Sequence, residues 1–128
     1  MNDRYLYRAK RIDNGERVEG ILTIMWRQLH IINPDYENTV YPIDESTICQ
    51  CTGLKDKNGK LIFEHDIVNC IEEECCGKIV WNESEAGFYF NVLYEDGKFD
   101  EEHIYDFVDC MEVVGNIFDN PELLEDKR

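Results

Sequence analysis

No run of eighteen apolar residues occurs in this 128-residue chain, so no helical membrane span is expected. The opening Met1-Asn2-Asp3-Arg4-Tyr5 lacks the apolar core of a secretory signal, so export by that route is not expected either. There is no nucleophile elbow, phosphate loop, dinucleotide fingerprint or zinc-protease helix. The enzyme classes that announce themselves by such motifs are thereby set aside. The three histidines are isolated from any Ser/His/Asp arrangement, and His30, in a β segment, reads as a core-edge side chain. No internal repeat or low-complexity stretch is present. Cations are scarce in the second half: residues 61–128 hold four Lys and Arg against nineteen Asp and Glu. Residues 1–60 hold nine of each, so the whole net charge of −15 lies in the second half. Neutralising phosphates needs Lys and Arg, so direct nucleic-acid binding by that half is disfavoured. An acidic surface instead suits a basic partner, or serves solubility.

What is present favours a folded β domain. Apolar residues make up 43% and aromatics 12%, enough for a core in one domain of this length. Residues 4–12 alternate as a first strand, followed by a turn at Asp13-Asn14-Gly15-Glu16. Arg17 to Arg27 reads as a strand rich in β-branched and aromatic types, and Gly20 at its middle argues against a helix. Short strands follow at 29–32 and 39–41, the latter stopped by Pro42, and Thr47 to Gln50 leads into the central stretch. Strands are expected at 66–71, 77–82, 88–94 and 111–118. Glu72-Glu73-Glu74 forms one hairpin tip, and Glu95-Asp96-Gly97-Lys98 forms another turn. Asp100 is read as the cap of a short helix running through Ile104, Tyr105, Phe107 and Val108. Asn120 is read as the N-cap of one helical turn that starts at Pro121.

The chain is organised around Cys49 to Val68, CQCTGLKDKNGKLIFEHDIV. Apolar flanks at Thr52-Gly53-Leu54 and Leu61-Ile62-Phe63 enclose Asp56-Lys57-Asn58-Gly59-Lys60, a tight turn in which Asn and Gly tolerate positive φ. Glu64-His65-Asp66-Ile67-Val68 then opens a new strand. The run from Gln50 to Val68 resembles the signature of the YopX family, small proteins found largely in phages and prophages. Tyr5 to Arg11 with Gly15 to Gly20, and Val113 to Leu123, resemble the family's opening and close. Two positions depart from the pattern: Cys51 stands where Tyr is usual, and His65 where Gly is usual. The resemblance implies a fold and a phage setting rather than a reaction. Strand order and resemblance together give the expected architecture. It is a mainly β chain, a single domain over 1–128, with an N-terminal antiparallel β region at 1–48. A small SH3-like barrel follows at 49–124, with a minor helix near the C-terminus.

Three groups of side chains carry candidate chemistry. Six cysteines, at 49, 51, 70, 75, 76 and 110, sit in a chain with no mark of secretion, so they are expected as free thiols. Cys49, Cys51, Cys70, Cys75 and Cys76 would have to assemble a thiolate zinc site, but Cys-x-Cys and Cys-Cys are poor spacings for zinc. The competing reading buries Cys49 or Cys51, Cys70 and Cys110, and exposes the pair at 75–76. Glu64, His65 and Asp66 suggest a small metal-dependent enzyme if Glu64 and Asp66 share a face of extended chain. Against that, Asp66 can bond the amides of the preceding turn, and Glu64 can be solvated. Third, Trp26, Trp81, Tyr89, Tyr94, Tyr105 and Phe107 exceed what a small core needs, and they serve either an interface or the barrel ends. The leading expectation is a non-enzymatic phage or prophage accessory protein in the cytoplasm of a bacterial host. It needs no cofactor or catalytic residue and acts on a basic host or phage protein. Its interaction surface would comprise Glu72, Glu73, Glu74, Glu95, Asp96, Glu101 and Glu102. Mimicry of nucleic-acid charge is one variant. The metal enzyme and a structural homo-oligomer are the alternatives.

Overall fold

The structure, a computed structural model, describes residues 3–33, 39–70, 72, 75–94 and 99–124. The chain divides into two compact units, Met1–Gly53 and Leu54–Arg128.

The first unit is an antiparallel sheet. Its strands are β1 (Tyr7–Lys10), β2 (Arg17–Met25), β3 (Gln28–Asn33), β4 (Thr39–Pro42) and β5 (Cys49–Lys55). They lie in the order β4-β3-β2-β1-β5, and β5 carries its last two residues into the second unit, where β6 (Leu61–Phe63) is next in line. Ala9, Ile31 and Ile43 form its buried centre, with Val18, Leu22 and Leu29 packed against them. Gly20 is required by close approach: a Cβ there would lie 2.1 Å from the Ile32 carbonyl oxygen. Two boundaries differ from the sequence reading. The chain opens with a 3₁₀ turn at Asp3–Tyr5 before β1 begins. The strand read to Arg27 ends at Met25, because Trp26 and Arg27 form the two-residue turn into β3. Both have positive φ, 51° and 62°, as a type I′ hairpin turn requires. The strand preference of Trp misleads here, since β2–β3 pairing puts the reversal at residue 26.

The second unit contains β6, β7 (Asp66–Cys70), β8 (Cys75–Asn82), β9 (Gly87–Leu93), β10 (Phe99–His103) and β11 (Met111–Asn116). Five of these form an antiparallel sheet in the order β10-β9-β8-β7-β11. Ile62, Val68, Cys70, Ile79, Phe90, Val92, Ile104 and Met111 are its buried core. A Cβ at Gly77 would meet the Asn91 carbonyl oxygen at 2.1 Å, so β8 and β9 pair as closely as they do only with glycine there.

The fold is mainly β, as expected, but the barrel expected at 49–124 does not close. β10 and β11 end the strand order without pairing with each other. A loop occupies β11 instead: Lys57 N–H donates to the Met111 carbonyl, and Val113 N–H donates to the Asp56 carboxylate. The helix read from Asp100 is strand β10, followed by a 3₁₀ turn at Ile104–Asp106. Pairing of Phe99 through His103 with β9 overrides the cap signal. The C-terminal helix is only a 3₁₀ turn, Pro121–Leu124, and the side chain of Asn120 bonds backwards to Asn116 N–H at 3.3 Å.

Candidate interaction surface and the central turns

The central stretch folds as two linked turns. Asp56 N–H donates to the Lys60 carbonyl, Gly59 N–H donates to the Asp56 carbonyl, and Gly59 has φ +82°. This is a three-residue hairpin loop ending on a left-handed glycine. The Asp56 side chain, 6% exposed, accepts from the N–H groups of Asn58, Lys60 and Val113, each at 2.9 Å. Burial raises its pKa, but these three donors outweigh that and hold the carboxyl below its ordinary value. The structural role of Asp56 was missed in the sequence. Its signal is an Asp two residues before Asn-Gly.

At Glu64-His65 the chain turns again, so Glu64 and Asp66 do not share a face of extended chain. Asp66 is 1% exposed and accepts from Phe63 N–H at 2.8 Å, the turn-closing role set against the metal reading. Glu64 Oε2 lies 3.6 Å from His65 Nε2, and both side chains are half-buried. Among the described residues, no group of three or more His, Cys, Asp and Glu is placed to hold a metal ion. His65 has φ +72°, so this position keeps the left-handed backbone expected of the usual glycine. Its N–H donates to the Ile79 carbonyl and its carbonyl accepts from Ile117 N–H, while its ring meets Phe118 edge-on at 5.5 Å. Fixed bonds on both sides hold the strained φ.

The cysteines do not assemble as the zinc reading requires. Cys49 and Cys51 are both buried in β5. Cys70 and Cys75 are direct partners across β7 and β8, and the Cys70 and Cys110 thiols both donate to the Phe107 carbonyl. Burial first, then the neighbouring Cys110 and Cys75, push the Cys70 thiol well above the ordinary range. Cys75 and Cys76 lie half-buried in β8 rather than on an exposed tip, because β8 starts at Cys75 and not Gly77.

The acidic surface takes shape on β10, which ends the sheet. Phe99, Glu101 and His103 share one face, with register partners Leu93, Asn91 and Tyr89 on β9. Glu101 Oε2 accepts from Asn82 Nδ2 at 2.8 Å, and its N–H donates to Asp100 at 2.9 Å. His103 and Tyr89 rings lie 4.9 Å apart. Partial desolvation and then Glu85 and Glu101 raise the Tyr89 pKa. The same cause, then Glu102 and Asp100, raises that of Tyr94. In both cases desolvation leads and the neighbouring carboxylates add to it. Asp100 and Glu101 are exposed, Glu102 is half-buried, and Glu72 is exposed in the β7–β8 turn. Glu73, Glu74, Glu95 and Asp96 lie outside the described residues.

Of the aromatics, Trp26 (88% exposed) and Tyr105 (73%) stand furthest into solvent. His30 is buried as expected, its Nδ1 2.8 Å from the Gln28 carbonyl. An open depression of about 550 Å³ lies in the first unit beside Arg11, Gln28 and Asp44. Three of its polar side chains are already engaged: Arg11 with Asp13, Gln28 with the Leu29 and Ile43 carbonyls, and Asp44 with Ser46.

Comparison with known proteins bears directly on the central stretch. The family model described as YopX protein matches residues 8–125. The chain belongs to the YopX family. The crystal structure of the protein yopX from Bacillus subtilis is similar to it at 21% identity, with a TM-score of 0.53. That match covers 98% of this chain and 100% of that one. At this identity the likeness shows a shared fold. No curated protein matches significantly. Among the described residues, no helix is long and apolar enough to cross a membrane.

Proposed function

We propose that this YopX-family chain is a non-enzymatic accessory protein of a phage or prophage, acting in the host cytoplasm by binding a basic protein. The observation that carries this reading is β10. Asp100, Glu101 and Glu102 stand together on the strand that ends the sheet, within a half of the chain holding nineteen acids and four bases. An end strand offers unpaired backbone groups, and its carboxylates attract Lys and Arg while repelling acidic chains. Glu72, with Glu73, Glu74, Glu95 and Asp96 in the same half, adds to the long-range field. The SH3-like description of 49–124 belongs to this proposal as a likeness of strand order.

The test is affinity capture from nuclease-treated bacterial lysate, with the native chain beside a variant in which Asp100, Glu101 and Glu102 become Lys. A basic protein should be retained at low salt, released at high salt, and absent from the variant. Retention of the same proteins by both chains would sink the reading.

A further inference from the structure

The β2–β3 hairpin ends in a feature that the acidic sheet does not explain. Trp26 is 88% exposed, Ile24 70% and Ile21 37%. Trp26 and Arg27 both hold positive φ in the two-residue turn, a conformation that Asn-Gly adopts without strain. Strained, large and apolar side chains at a hairpin tip are poor choices for folding, and such outliers gather where a protein makes contacts. The indole is positioned, since its ring meets buried His30 edge-on at 6.3 Å. Arg27 is exposed, and among the described residues it forms no ion pair.

We propose that this tip docks onto the acidic sheet of a second copy of the same chain. Charge complementarity selects that occupant. The tip presents the guanidinium of Arg27, and residues 61–128 of the other copy carry the entire net −15. The side chains also match. On the face that carries Glu101, exposed Phe99 lies opposite half-buried Leu93, so an apolar patch borders a carboxylate. Trp26 and Ile24 cover the patch, and Arg27 meets Glu101. A hairpin-on-hairpin contact would set Arg27 against Arg27. The contact is therefore heterologous, tip to sheet, and it generates a ring or a filament rather than a two-fold dimer. This inference stands without the host partner proposed above, because purified chain alone tests it.

The experiment is sedimentation velocity on the full chain under reducing conditions, from low micromolar to submillimolar concentration and at two salt concentrations. The native chain should associate with rising concentration, more weakly at high salt. The double variant Trp26→Asn with Arg27→Gly suits the turn, so its fold is kept, and its association should weaken at least tenfold. Arg27→Glu and Glu101→Arg should each weaken self-association, and mixing these two variants should restore it. A native chain that stays monomeric throughout overturns the proposal. So does an oligomer that the double variant leaves intact. Loss with the double variant, but with no response to salt or to either charge reversal, would mean an apolar hairpin-on-hairpin contact and would overturn tip-to-sheet docking.

Discussion

The N–H of Val113 donates to the carboxylate of Asp56 at 2.9 Å across 57 residues of sequence. One side chain thus caps its own hairpin turn and fixes the strand that ends the second sheet. Its carboxyl is held below the ordinary value, so its contribution to stability is present above the unfolded value of about 3.9 and lost as pH falls through the folded value. Asp56→Ala should cost about 2 kcal/mol, the scale of hydrogen bonds to a charged group, with Asp56→Asn costing less. Urea titrations from neutral to acid pH should show a shallower loss of stability below about pH 4 for Asp56→Asn than for the native chain. Equal acid slopes would refute this account.

His65 holds a positive φ that glycine adopts at little cost. His65→Gly should change stability by no more than about 1 kcal/mol, because relief of strain offsets the lost Phe118 contact and the greater freedom of the unfolded chain. His65→Val should lose about 2 kcal/mol or more, since a β-branched residue fits this region worst. Thermal melts are the readout: the Gly variant and the native chain should lie close together, with Val clearly lowest.

Gly20 and Gly77 each sit where a Cβ would fall 2.1 Å from a backbone carbonyl oxygen. Backbone cannot yield as a flexible side chain can. Gly77→Ala should therefore destabilise by about 3 kcal/mol or more, with β8 pushed off β9, whereas Gly59→Ala should cost only about 1 kcal/mol from its φ, because nothing crowds it. Comparable losses in the two variants would contradict the crowding argument.

Thiol accessibility should divide the cysteines in two. Cys75, Cys76 and Cys110 are partly exposed and should be alkylated first by iodoacetamide at mildly alkaline pH. Buried Cys49 and Cys51 should react only after denaturation, as should Cys70, whose thiolate is disfavoured by burial and by its sulfur neighbours. Peptide mass spectrometry over time reads this order directly, and early labelling of Cys70 would count against it.

Local signals made much of the fold legible. Asn58-Gly59 announced the central hairpin, and the strands read at 66–71, 77–82 and 88–94 lie within two residues of β7, β8 and β9, because a period of two reports directly on which face is buried. Errors fell where tertiary pairing overrode local preference. Trp26 and Arg27 look like strand residues but turn. Asp100 looks like a cap but lies in β10. Cys75 looks like a tip residue but opens β8.

By itself the sequence determined the family, the β class and the uneven charge, since motif identity, side-chain periodicity and formal charge are properties of the chain alone. Only the tertiary structure decided the rest. It left the five-stranded sheet open, because the 56–60 loop takes the hydrogen bonds of β11. It parted Glu64 from Asp66, because a left-handed turn at His65 buries one carboxylate. It also put Trp26 in solvent, because the β2–β3 register places the reversal there. These outcomes depend on which distant backbone groups find each other, and no local stretch of sequence records that.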